Sequence, residues 1–280
     1  MRERDVAATL EEHVLVGGLS FPEEPRWRDG RLWFIDVGAE LILAVDEAGR
    51  EAGRITLDFT PGGLGWLPDG TLLVVDVTGC RVVAVSRDLR SRSTYADLGA
   101  LVRLRPNGLC VSRDGVAYVA SIGSELQTEG PRPSGNIIVV EPDLSQRVLF
   151  EADIRFPNGV ALSRDERRLY VPETFGERVS IFDLADGRRT IAQAPGMWPD
   201  GSCHAGGDSL WFADAGSPRV VRVDHAGRTL ETLTFSRRCF APALNGRGDR
   251  LYVAVADDHG PEARRRGTGA IVWRSLPSTP

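Results

Sequence analysis

The chain has 280 residues, 42% hydrophobic and 26% charged, with a formal net charge of −5. This is an ordinary globular composition, and its acidic balance argues against nucleic acid or an anionic membrane as partner, since both require a basic face. No apolar stretch approaches the roughly 20 residues of a membrane-spanning helix, and the charged start MRERDVAATLEEH does not read as a secretory signal.

Cys80, Cys110, Cys203 and Cys239 are widely spaced and form no CxxC pair. That usage fits reduced, mostly buried thiols, so a cytoplasmic protein is expected. A monomer or weak homo-oligomer is the separate expectation for its assembly. After the leader, His13-Val14-Leu15-Val16 reads as a short strand closed by Gly17-Gly18. The chain then returns six times to one theme, in which a strand, a polar turn and a second apolar strand follow one another. The second strands begin at Leu32, Leu72, Ala117, Leu169, Leu210 and Leu251, 40 to 52 residues apart. Third strands recur in phase at Leu41–Val45, Arg81–Val85, Asn136–Val140, Arg178–Phe182, Arg219–Val223 and Ala270–Arg274.

Fourth strands are weaker and number only five: Arg54–Leu57, Ser93–Tyr95, Arg147–Phe150, Thr190–Ala194 and Thr229–Phe235. A β-type repeat of this period predicts an all-β, six-bladed propeller with four-stranded blades, one domain over residues 1–280. The strand His13–Val16 would supply the missing outer strand and close the ring, removing an exposed sheet edge.

The first strand of each blade lines the axial channel. Aligned on their turns, the six copies place Glu23, Gly62, Asn107, Asn158, Asp200 and Phe240 at the channel mouth. Two carboxylates and two amides therefore converge on one spot, which is unfavourable without a positive charge. A divalent cation resolves the conflict. All-oxygen ligation with two formal negative charges suits Ca2+ best, with Mg2+ or Mn2+ as alternatives and Zn2+ less favoured for want of His or Cys. Taken singly, Asn-Gly and Asp-Gly pairs are ordinary turn formers; their coincidence with Glu23 at one phase of the repeat is what points to a site.

Several segments resemble the gluconolactonase, senescence-marker-protein and luciferin-regenerating-enzyme family. They are EEPRW at Glu23–Trp27, RPNG at Arg105–Gly108, FPNGVALSRDERRLYVPETF at Phe156–Phe175, WPDGSC at Trp198–Cys203 and RCFAPAL at Arg238–Leu244. The resemblance implies a six-bladed propeller with one divalent metal, acting mostly as a lactone hydrolase. It implies Glu23, Asn158 and Asp200 as metal ligands, Asn107 as a contact to substrate or to a metal-bound water, and Arg105 and Glu125 as substrate contacts. Asp200, close to the attacking water, is the candidate catalytic base, or only orients a metal-bound hydroxide. Glu24 stands where the family usually has a small Gly or Ser.

The ends of the second strands, Asp36, Asp76, Ser121, Glu173, Asp214 and Val255, are candidates for orienting ligands by hydrogen bonding. The connection Ile122–Ser134 is a candidate lid, His204 points down the channel or into a blade interface, and His259 sits in a top-face loop. Arg264-Arg265-Arg266 reads as a solvated loop. The leading functional expectation is metal-dependent opening of a lactone, such as a sugar lactone. The alternatives are the same centre acting on another ester, such as a phosphotriester, and a non-catalytic propeller stapled by its metal.

Overall fold

The alternating apolar runs and turn clusters of the repeat all become antiparallel strands in the computed structural model, which describes residues 11–126, 129–130, 132–150 and 153–277. The strands form six four-stranded sheets, arranged as a six-bladed β-propeller. Blade one runs Pro22–Arg28, Arg31–Asp36, Leu41–Val45 and Glu51–Thr56, from the axis outward. The inner strands of blades two, three, five and six are Pro61–Trp66, Arg105–Val111, Pro199–His204 and Arg238–Leu244. Blade four differs: its regular inner strand is only Ala161–Leu162, preceded by an isolated bridge from Pro157 to Glu173.

Each blade alone would expose both faces of its sheet, and stacking removes them from water. Apolar clusters fill every interface between successive blades. Ile35, Ile42, Leu64 and Val74 join blades one and two, and Trp211, Val220, Leu251 and Val253 join blades five and six. The ring closes where Leu32, Phe34 and Leu43 of blade one meet Tyr252, Ala254 and Ile271 of blade six. The N-terminal strand His13–Leu19 completes blade six by pairing with Gly269–Ser275, as the missing fourth strand required. Leu19 from that strand is buried in the same closing cluster.

Two expectations need correction. The arginine run is not a solvated loop: Pro261–Arg266 is a short helix, entered through Pro and ended by Gly267 at φ +62°. The outer strands are shifted by one to three residues, for example to Glu51–Thr56 and Gln146–Val148, because an edge strand has only one partner to fix its ends. All four cysteines are free thiols. Among the described residues, no helix is long and apolar enough to cross a membrane.

Removing the chain up to Leu19 should leave the third strand of blade six as an open edge and uncover part of the closing cluster. Thermal unfolding should then report a loss on the order of several kcal/mol. An unchanged melting temperature would show that the strand does not hold the ring.

Candidate functional site

At the channel mouth the inner strands interrupt their own pairing. Register shifts fall between Glu23 and Arg26, Pro61 and Leu64, Pro106 and Leu109, Pro199 and Ser202, and Cys239 and Ala241. A bulge of this kind frees a residue from the ladder and re-aims its side chain, here toward the axis. The glycines that follow are needed for close approach between strands rather than for a turn. A Cβ on Gly63 would lie 2.1 Å from the Leu109 nitrogen, and one on Gly201 would lie 2.3 Å from the Ala241 Cβ.

The strands therefore pack tightly enough for Glu23, Asn107, Asn158 and Asp200 to line the floor of one cavity of about 280 Å3. The equivalent Gly62 and Phe240 line it as well. Asn107 Nδ2 donates to Asn158 Oδ1 at 2.9 Å, and Asn158 Nδ2 donates to Thr174 Oγ1 at 3.2 Å. Thr174 Oγ1 passes the chain on to the Pro199 carbonyl at 2.9 Å, one residue before Asp200. Three neighbouring blades are thus tied together through their site residues.

The electrostatics of this floor are unfavourable for the protein alone. Asp200 is buried, Glu23 opens only onto the cavity, and neither carboxylate has an ion-pair partner among the described residues. Burial first, and then repulsion from Asp200 and Glu24, hold the Glu23 carboxyl well above the usual carboxylate range. Burial and repulsion from Glu24 do the same to Asp200, against a lowering hydrogen bond from Asn158. The nearest cation, Arg264, lies over the Phe21 ring at 4.7 Å from its centroid and attracts Glu23 without touching it. Two unpaired acids beside two amide oxygens fit a hard, oxygen-seeking cation. Among the described residues, no three His, Cys, Asp or Glu side chains converge as a metal cluster, so any such set must use the asparagines.

The strand-end groups orient the floor, but through the backbone and not by touching the site side chains. The Asp36 carboxylate accepts from the Phe21 N–H at 2.8 Å, two residues before Glu23. Asp214 accepts from the Trp198 N–H at 2.9 Å, two residues before Asp200. Glu173 accepts from the Arg155 N–H at 2.8 Å ahead of Asn158, and Ser121 Oγ from the Arg103 N–H at 2.9 Å ahead of Asn107. The four blades that carry an oxygen-bearing residue are the four held this way. In blade two, Asp76 instead binds its own turn at Gly79 and Arg81, and Val255 of blade six has no polar group to offer. Glu173 and Asn158 are neighbours through their backbones, as the hairpin predicts, yet the Glu173 carboxylate faces Arg178 and Arg189.

Arg105 and Glu125 meet as an ion pair at the cavity rim. His259 also lines the rim, whereas His204 lines a hollow at the opposite mouth of the channel and takes no part in the site. Of the segment 122–134, Glu125 and Leu126 line the cavity, and residues 127, 128 and 131 lie outside the described residues. Lining residues that escape a sequence reading include Arg264, Trp198, Phe21 and Phe156. Arg264 carried a weak signal in the Pro261 and Gly267 that bound its helix; Phe156 and Trp198 open two of the family-like segments, whereas Phe21 carried no signal.

The raised carboxyls give a pH signature. Their folded pKa values exceed the unfolded ones of roughly 4, so folding favours the protonated forms. In chelated protein that contribution is complete below the unfolded value and is lost as pH rises through the folded values. The melting temperature of chelated protein should therefore fall as pH rises above the ordinary carboxylate range, and Asp200→Asn should flatten the slope. A melting temperature that rises instead would contradict the assignment.

Comparison with known proteins identifies the family and the fold. The profile described as SMP-30/Gluconolactonase/LRE-like region matches residues 21–257. The lactonase drp35 of Staphylococcus epidermidis is 25% identical over 222 residues, covering 71% of this chain and 65% of the relative. The chain thus spans just under two thirds of that relative's length. A gluconolactonase structure from Xanthomonas campestris superposes with a TM-score of 0.79 at 20% identity, covering 96% of this chain and 91% of the other. Regucalcin from Agrobacterium tumefaciens, a calcium-binding protein, gives 0.79 at 20% identity, covering 95% and 94%. With the profile match extending from Phe21 to Asp257, across all six blades, the chain belongs to the SMP-30/gluconolactonase/LRE-like family.

Proposed function

We propose that this propeller opens lactones, or closely related carboxylic esters, with the help of one divalent cation held by Glu23, Asn158 and Asp200. The observation that carries the reading is the pair of carboxylates, Asp200 buried and Glu23 partly so, that line one cavity without ion-pair partners among the described residues. Ca2+ is the best match to a set of two carboxylates and neutral oxygens. The names of the relatives, a lactonase, a gluconolactonase and a calcium-binding protein, support the same reading. A bound cation would supply Lewis acidity toward the substrate carbonyl.

The protein's own groups would do the rest. Asp200 faces the cavity, where it would take a proton from an attacking water or orient that water. Asn107 has an amide beside Asn158 with which to fix the acyl oxygen, and Arg105, steadied by Glu125, stands at the rim where a carboxylate or ring oxygen would lie. The walls include Phe21, Val37, Val77, Ile122, Phe156 and Trp198. Such a surface favours a lactone with an apolar ring or side chain over a polyhydroxylated sugar lactone, whose hydroxyls would lose hydrogen bonds to water there.

Two measurements test this. A panel of sugar, aliphatic and aromatic lactones should show activity that disappears on chelation and returns with Ca2+, with kcat/KM highest for the apolar members. No hydrolysis of any lactone under any metal would overturn the reading. The second separates two residues at equivalent positions. Asp200→Asn should weaken cation binding and stay slower by roughly 10²–10⁴-fold at saturating metal. Asn107→Ala should keep its cation and lose substrate binding or positioning instead. Full turnover by Asp200→Asn once metal is saturating would show that the base lies elsewhere.

A further inference from the structure

Below the site, the channel carries two further rings of residues from the inner strands. The first ring is Gly63, Gly108, Gly159, Gly201 and Ala241, and the register with the second strands puts Gly65, Cys110, Ala161, Cys203 and Ala243 in the next. Blade one alone breaks the pattern, with Glu24 in the first ring and Arg26 in the second. Glu24 is 4% exposed and holds a left-handed backbone at φ +51°, a conformation that favours glycine. A strained, buried acid in a ring of small residues is a feature to explain by function.

The pair is oriented along the axis. Glu24 lines the site cavity, whereas Arg26 lines the hollow at the other mouth. One Glu24 oxygen is bound by Arg26. The other reaches across the channel to blade four, lying 2.5 Å from where a Gly159 Cβ would be, beside Asn158. Arg26 is fixed from behind by the Pro25, Leu109 and Val160 carbonyls at 3.1, 3.3 and 3.4 Å. Glu24 lies one level below Glu23 on the same strand and is held by Arg26, so it stands behind the donor set.

We propose that Glu24 and Arg26 form an axial ion-pair dipole whose negative end faces the cation site and strengthens cation binding. This rests on the reading of Glu23, Asn158 and Asp200 as a cation site. The simpler role, a structural plug, makes a different forecast. A plug loses stability when either partner goes, and leaves cation affinity alone. The dipole changes affinity with opposite signs, because Glu24→Gln leaves a buried positive charge under the cation and Arg26→Gln leaves a buried negative one.

The test is calorimetric titration of the full chain, stripped by chelation, with Ca2+ alone and with Tb3+ alone. Glu24→Gln should bind both at least about tenfold more weakly than wild type, and Arg26→Gln should bind as tightly or more tightly. The double variant Glu24→Gln/Arg26→Gln buries no charge here and keeps the test alive if a single variant does not fold. It should bind about three- to tenfold more weakly than wild type. Wild-type affinity in Glu24→Gln or in the double variant, or a loss in both single variants, would overturn the dipole while leaving the cation site standing. A wild-type protein that takes up neither ion would overturn the site itself, and the dipole with it.

Discussion

Close approach of the six inner strands around the axis is the constraint on which the rest depends. Glycine follows the channel-mouth residue in four blades, and in each of them a Cβ would collide with the neighbouring strand. Only that spacing lets side chains from four different blades share one small cavity floor. The same tightness excludes bulk water and leaves Glu23 and Asp200 to repel one another in a poorly solvated space. The fold thus creates an electrostatic deficit that a cation would fill, and the asparagine amides supply neutral oxygens without adding to the repulsion.

The second theme is how rigidity reaches the site. The strand-end acids sit where turn formation alone would explain them, yet in blades one, four and five they hold the segment that leads into the site strand. Blade three does the same with a serine. Each oxygen-bearing residue is therefore positioned by a bulge on one side and a pinned backbone on the other. Blade two, whose acid serves only its own turn, contributes Gly62 to the floor and needs no aim. Positioning through the main chain spares the side-chain oxygens from serving as the anchors to the strand-end groups.

Blade one departs from its siblings in both respects that matter for charge. It brings the only glutamate of the channel mouth, and immediately below it the buried Glu24–Arg26 pair. The other blades fill the levels of Glu24 and Arg26 with glycine, alanine and cysteine, so the charges at those two levels come from one strand. The wall beside this strand is completed by a different element, the short helix Pro261–Arg266, which brings Arg264 over Phe21.

The sequence by itself determined the six-fold repeat, the closing N-terminal strand and the four oxygen-bearing residues at one phase. Each of these is a local pattern repeated: apolar runs with strand periodicity, turn residues at fixed offsets, and the same dipeptide after the same turn. Tertiary structure decided everything that depends on a partner far away in the chain. Arg264 lies 241 residues from Glu23, and no spacing rule connects a helix in one loop to a strand at the other end. Trp198, Phe21 and Phe156 join the wall only because the blades around the ring bring three separate loops to one face. The direction of Glu24 was equally hidden, because a bulge and a left-handed backbone, rather than simple alternation, aim it into the channel. Patterns of one element are written along the chain; the contacts between elements exist only once the ring has closed.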